Sequence, residues 1–233
     1  MKISGLQKMT LLDYPGKVAC TVFLGGCNFR CPYCHNSELL DGSCDEIMPQ
    51  QELLTFLHSR KGLLDAVCIS GGEPTLQADL PDLLAAIKAM GYLIKLDTNG
   101  SRPEVLKDLV SRKLVDYVAM DIKNSPDRYE QTVGTSCRLP QIEESIRFLT
   151  ENHVDYEFRT TVVAQLHDSQ SLEEMGQWVN HLAKNRKILR WFVQPFVDRD
   201  TVMYSGLCAP EDAKLSEFVF ILSRFSSHSS VRG

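Results

Sequence analysis

Short apolar runs alternate with amphipathic stretches along nearly the whole chain. The runs span 18–24 (VACTVFL), 66–70 (AVCIS), 92–97 (YLIKLD), 117–121 (YVAMD), 156–163 (YEFRTTVV) and 189–194 (LRWFVQ). Their brevity and their β-branched and aromatic content predict buried strands. Between them, apolar residues recur at helical spacing over 49–60, 78–90, 103–112, 140–152, 171–184 and 210–225, with prolines suited to a first helical turn at several starts. Six strand-then-helix units imply parallel strands joined by right-handed crossovers. The expected fold class is α/β, a single-domain (β/α)6 partial TIM barrel, with an open doubly wound sheet as the alternative. Residues 1–225 would form the core domain, and the serine-rich 226–233 (SSHSSVRG) a flexible tail.

Composition narrows the function. The chain has 233 residues, 43 % hydrophobic and 24 % charged, which is ordinary for a globular protein. No apolar run reaches the roughly 18 residues that a membrane span needs, so no membrane partner is expected. A formal net charge of −5 without long basic runs argues against nucleic acid, whose phosphates call for clustered Lys and Arg. The N-terminal stretch has no apolar h-region and no small-residue cleavage site, which predicts a cytoplasmic address. In that compartment the eight cysteines are expected to be reduced thiols, some of them metal-binding.

Three of those cysteines stand in GGCNFRCPYCHN, residues 25–36, on a connection far longer than the usual strand-to-helix loop. Cys27, Cys31 and Cys34 can wrap one metal centre and lack an obvious fourth ligand. Zinc would need that fourth ligand, and His35 is too close to Cys34 to turn easily to the same ion. CPYCH also matches the c-type haem attachment motif, but that reading requires export and leaves Cys27 idle. Buried, unliganded thiols are a third reading, poorly suited to a polar glycine-led loop. The fourth is a [4Fe-4S] cluster held at three irons, with the last iron open to a chelating small molecule.

C-x3-C-x2-C with an aromatic residue, Tyr33, before the last cysteine, placed after the first strand, resembles the signature of the radical S-adenosylmethionine (SAM) enzymes. The resemblance implies a partial barrel of the radical SAM type, one [4Fe-4S] cluster on Cys27, Cys31 and Cys34, and SAM chelating the fourth iron. Polar residues at the carboxyl ends of barrel strands are then site candidates. Gly71, Gly72 and Glu73 resemble the family's GGE motif, in which the glycines let backbone approach a ligand and the glutamate holds the methionine amino group. Asp97 and Thr98 in LDTNG, and Asp121 and Lys123 in MDIK, resemble motifs of the glycyl-radical-enzyme activases that line the cofactor and a monovalent cation site. Both aspartates are expected in one mouth, compensated by a bound cation or by Lys123. Asn99 and Gly100 are a turn signal. Arg159, mid-strand, needs a counter-charge. Glu157 could supply it, whereas the resemblance implies the cofactor's carboxylate. Some related activases carry a histidine after the sixth strand. Phe196 and Val197 stand there in this chain, leaving Gln194 as the substitute contact.

Cys20, Cys44, Cys68, Cys137 and Cys208 form no second close cluster, and Cys20 and Cys68 are expected in the core. His58, His153, His167, His181 and His228 lack ligand spacing and are expected to be solvated or capping. LLDYPGKVACTVFLGGCNFRCPYCHN, residues 11–36, resembles the anaerobic ribonucleoside-triphosphate reductase activating proteins. That implies a radical SAM oxidoreductase that places a glycyl radical on a large partner, anaerobic ribonucleotide reductase, with flavodoxin or ferredoxin as electron donor. Alternatives are activation of another glycyl radical enzyme such as pyruvate formate-lyase, a small-molecule radical reaction, or an electron-transfer iron-sulfur protein.

Overall fold

The structure is a computed structural model describing residues 2–41, 45–151 and 153–232. Cys44, Asn152 at the end of one expected helix, and the two chain ends lie outside the described residues. The chain forms two compact units. The first comprises Met1–Asn28, Glu38–Thr98 and Glu104–Val118, and the second Phe29–Ser37, Asn99–Pro103 and Ala119–Gly233.

The first unit holds β1 (Ile3–Thr10), β2 (Ala19–Leu24), α1 (Gln50–Ser59), β3 (Ala66–Gly71), α2 (Leu80–Ala89), β4 (Leu93–Thr98) and most of α3 (Pro103–Ser111). β2 and β3 pair in parallel from Ala19 opposite Ala66 to Leu24 opposite Gly71, and β4 continues from Leu93 opposite Ala66. Their side chains are buried almost throughout, as parallel strands covered on both faces require. Leu80, Leu83, Leu84 and Ile87 form the buried stripe of α2, each contributing about 1.5–3 kcal/mol by leaving water.

β1, antiparallel to β2, was not expected. Its sequence, ISGLQKMT, neither alternates nor forms an apolar run, and three consecutive residues are exposed. What fits it to β2 is Gly5, where an added Cβ would lie 3.1 Å from the Phe23 side chain. The DYPG stretch closes this pair. Thr10 Oγ1 accepts the amides of Leu12 and Asp13, and Asp13 accepts the Thr21 hydroxyl at 2.5 Å.

β5 (Tyr117–Asp121) contributes its last three residues to the second unit, which continues with α4 (Tyr129–Val133), α5 (Leu139–Thr150), β6 (Asp155–Val162), α6 (Ser169–Leu182), β7 (Trp191–Pro195), α7 (Asp212–Ser223) and β8 (Ser229–Val231). β6 and β7 are parallel from Phe158 opposite Trp191 to Val162 opposite Pro195. α6 begins two residues earlier than its apolar spacing suggests, because Asp168 caps it: the carboxylate accepts the Ser171 amide at 2.8 Å, and the Ser171 hydroxyl accepts the Asp168 amide at 3.0 Å.

The segment expected to fray instead forms β8, parallel to β7 with Trp191 opposite Ser229. Three residues of sequence SSV carry no strand signal of their own. A charge fixes them: Arg232 donates to Glu157 in β6 at 2.6 Å and lies 3.4 Å over the Phe192 ring, while the Glu157 side chain is wholly buried.

The α/β class and the parallel strand order expected from the sequence are what the structure shows. The six expected strands are β2 to β7. No helix of the described residues is long and apolar enough to cross a membrane.

Candidate functional site

In the first unit the GGE motif follows directly from β3. Gly71 has φ +117°, and a Cβ there would strike the backbone of Leu24, while one on Gly72 would strike the carbonyl of Gly26. The room expected for a ligand is therefore taken by the chain itself: Gly72 N–H donates to Leu24 O and Glu73 N–H to Gly26 O, both at 2.8 Å. The glycines thus seat the start of the cysteine loop, and half-buried Cys27 follows, its amide donating to Leu40 O at 3.0 Å. Glu73 is buried. Its Oε1 accepts the Thr75 amide at 3.1 Å, the Thr75 hydroxyl, and the Thr98 hydroxyl at 2.8 Å, so Thr98 orients Glu73. Asp97 accepts from the Ser70 hydroxyl at 3.0 Å and pairs with Lys95, which is only 1 % exposed. Sequence reasoning passed over Lys95. The signal was there, since a lysine two positions before an aspartate in an apolar strand must share its face.

In the second unit the rest of the cysteine loop rests on α4. Arg30 N–H donates to Val133 O at 2.8 Å, and Gly134, at φ +67°, leaves room for the Arg30 carbonyl. Cys31 is buried and Cys34 half-buried. Burial pushes both thiols up, offset only in part by the Lys123 ammonium at Cys31 and by the Asn36 backbone and then Lys123 at Cys34. Burial, then the charge of Cys31, holds the Tyr33 phenol well above its ordinary value, and its hydroxyl has no hydrogen-bond partner among the described residues. His35 does not turn toward a metal. Its Nε2 donates to Val197 O at 2.6 Å, its carbonyl accepts the Thr201 hydroxyl at 2.7 Å, and its ring lies 5.6 Å from that of Phe196.

Asp121 is the hub of this half. Oδ2 accepts from Lys123 Nζ and Oδ1 from Arg159 Nε, each at 2.9 Å. Burial alone would lower the Lys123 ammonium, but Asp121, Tyr33 and Cys31 outweigh it and hold it well above the usual lysine range. Of the two compensations expected for Asp121, the structure uses Lys123 and adds Arg159. The Glu157 carboxylate accepts from Arg232 at 2.6 Å. Gln194 lies half-buried in β7 opposite Thr161. The Asn99 turn is present, Oδ1 accepting the Ser101 amide at 3.0 Å.

Cys20 and Cys68 are core residues as expected, and burial pushes the Cys20 thiol up to about 12. Of the two roles expected for His167, solvated or capping, the structure excludes the first: the side chain is buried and bonds the backbone of Val163 and Lys123. Among the described residues no three His, Cys, Asp or Glu side chains gather round one point as a mononuclear site requires. A cubane cluster makes a different demand, because each thiolate bonds its own iron. Three thiols within eight positions of sequence, none in a disulfide, with the Lys123 ammonium near Cys31 and Cys34 and the unsatisfied Tyr33 phenol near Cys31, fit such a group and a polar ligand.

Residues 21–182 match the Radical SAM superfamily profile. This chain belongs to the radical SAM superfamily. Its cofactors are accordingly a [4Fe-4S] cluster and SAM. A Methanocaldococcus jannaschii protein named for glycyl-radical enzyme activation is 32 % identical over 244 aligned positions, covering 99 % of this chain and 95 % of that protein. The pyruvate formate-lyase 1-activating enzyme of Escherichia coli K12 is 29 % identical, over 80 % of this chain and 78 % of that one. Among solved structures, a domain of the pyruvate-formate lyase-activating enzyme from Bacteroides vulgatus aligns with a TM-score of 0.59 at 18 % identity, over 72 % of this chain and all but 1 % of that domain. Streptococcus suis SuiB bound to SAM aligns at 0.68 and 15 % identity, over 91 % of this chain and 52 % of that one. These likenesses show the fold, the partial barrel of the radical SAM enzymes.

Proposed function

We propose that this radical SAM enzyme is a glycyl-radical-enzyme activase whose partner is an anaerobic ribonucleoside-triphosphate reductase, with flavodoxin or ferredoxin as electron donor. The observation that carries the activase reading is the likeness to the M. jannaschii activating protein over nearly the full length of both chains. The choice of partner rests on residues 11–36 and their resemblance to reductase activating proteins.

In this reading Cys27, Cys31 and Cys34 bind three irons, and SAM occupies the fourth. Glu73, already oriented by Thr75 and Thr98, receives the methionine ammonium, and Arg159 meets its carboxylate. Asp97, Thr98, Asp121 and Lys123 line the sulfonium, with Tyr33 and Gln194 completing the surround and Gly71 and Gly72 shaping the turn that presents Glu73. The bound cluster and SAM together supply one-electron cleavage of the sulfonium and removal of a hydrogen atom from a glycine Cα. The protein contributes placement. Lys123 steadies thiolate charge at Cys31 and Cys34, while Asp121 holds Lys123 and Arg159 apart at fixed distances.

The test is anaerobic reconstitution, reduction with dithionite and quantification of 5′-deoxyadenosine from SAM, beside a Cys31→Ala control. Product lost in the control is expected, whereas no product from a protein with an intact, reducible cluster overturns the reading. Addition of an anaerobic ribonucleotide reductase or a pyruvate formate-lyase, followed by electron paramagnetic resonance, then decides the partner by which one gains a glycyl radical.

A further inference from the structure

His167 lies in the connection from β6 to α6, is 4 % exposed, and has no part in the chemistry above. Its Nδ1 accepts the Val163 amide at 3.1 Å, an N–H that can only donate. Nδ1 also lies 3.3 Å from the Val163 carbonyl, but Nε2 faces the carbonyl of Lys123 at 2.9 Å, an oxygen that can only accept, so the ring proton sits on Nε2. The next residue is tied to the same connection: Asn124, wholly buried, donates to Leu166 O and to the Thr132 hydroxyl, both at 2.9 Å. Lys123 and Asn124 lie beyond the end of β5, where no strand ladder fixes their backbone. What the ladder leaves loose at Lys123, a residue 44 positions later holds.

We propose that His167 is a positioning residue for the cofactor site: by gripping the Lys123 carbonyl it holds the Lys123 ammonium on Asp121, and through that pair it sets the affinity for SAM. The inference rests on the reading of Lys123 as part of that site. Nothing in the chemistry needs His167 to touch a ligand, so its effect is read in the affinity for SAM.

Two near-isosteres separate positioning from simple packing. In His167→Gln the side-chain amide nitrogen reaches the Nε2 position and donates to Lys123, but the acceptor for Val163 is lost. In His167→Asn the shorter side chain keeps an acceptor for Val163 and cannot reach Lys123. SAM dissociation constants are measured by equilibrium dialysis on the reconstituted proteins, kcat and KM from 5′-deoxyadenosine formation, and unfolding midpoints on the metal-free chains. The Asn variant is expected to bind SAM roughly tenfold more weakly, and the Gln variant to stay within about twofold of the parent in affinity. Parent-like affinity in the Asn variant, or equal losses in both, overturns the inference. If the Asn variant does not fold, the Gln variant decides alone: tight binding supports the proposal and weak binding overturns it. Lys123→Met separates the two layers. Unchanged SAM affinity there removes Lys123 from the cofactor site and the inference with it, whereas weakened affinity beside a parent-like Asn variant sinks only the role of His167.

Discussion

Glu73 and Asp121 are carboxylates of comparable importance held in opposite ways. Glu73 accepts from neutral groups close by, the amide and hydroxyl of Thr75 just two residues away and the hydroxyl of Thr98 in the first unit. Asp121 is held by two cations, one of which, Arg159, is 38 residues distant, and Glu157 in the same strand as Arg159 waits for Arg232, 75 residues on. Neutral local donors orient a carboxylate and leave its charge available, whereas cations spend the charge on holding distant chain together. In the first unit, neighbours in sequence and in the adjoining strand orient the carboxylate. The second unit's half is built to fix geometry.

The sharpest break on the local side is Gly71→Ala. With φ at +117° and Leu24 backbone where the Cβ would go, the turn before Glu73 cannot keep its shape, and a loss of about 3–4 kcal/mol in urea unfolding is expected. On the remote side, Arg232→Met removes one cation from the wholly buried Glu157 and is expected to cost about 2–3 kcal/mol. Adding Glu157→Gln should recover part of that loss, and strict additivity in the double-mutant cycle would show that the pair is not coupled. A smaller effect separates the two modes of holding. Thr98→Val removes one neutral donor to Glu73 and is expected to cost about 1 kcal/mol, read from the shift of the denaturation midpoint.

The smallest effect is one of pH. Burial, the main cause, lowers the affinity of His167 for a proton below that of an ordinary histidine, about 6.5. Below that pH the unfolded chain takes up a proton that the folded one refuses, so the His167 contribution to stability is full above about 6.5 and declines as the pH falls toward the folded value. Unfolding of the metal-free protein at pH 7 and pH 5 should show a steeper decline for the parent than for His167→Gln. Equal slopes would mean that the imidazole is not held neutral.

The same contrast explains what the sequence disclosed. Strands β2 to β7 could be read because strands buried on both faces appear as apolar runs, and the cysteine and GGE motifs because their residues are contiguous. The reason for the glycines could not be read, since it lies in the backbone of Leu24 and Gly26 rather than in the motif. β1 and β8 escaped because an edge strand with exposed positions and a three-residue polar strand carry no periodic signal. Arg232 and His167 escaped for a further reason. Their partners are fixed by chain folding back over long separations, about which local spacing is silent. Lys95 was within reach of strand alternation alone.

The grip of Arg232 on Glu157 also bears on biosynthesis. A ribosome adding about 5–20 residues per second makes the guanidinium roughly 4–15 s after the carboxylate that it neutralises. During that interval β6 can emerge but cannot bury its acid cheaply, whereas the last segment of the first unit, Glu104–Val118, has already been made. Order of synthesis thereby bears on order of assembly: the whole of the first unit is made before the cation that the buried acid of β6 accepts from.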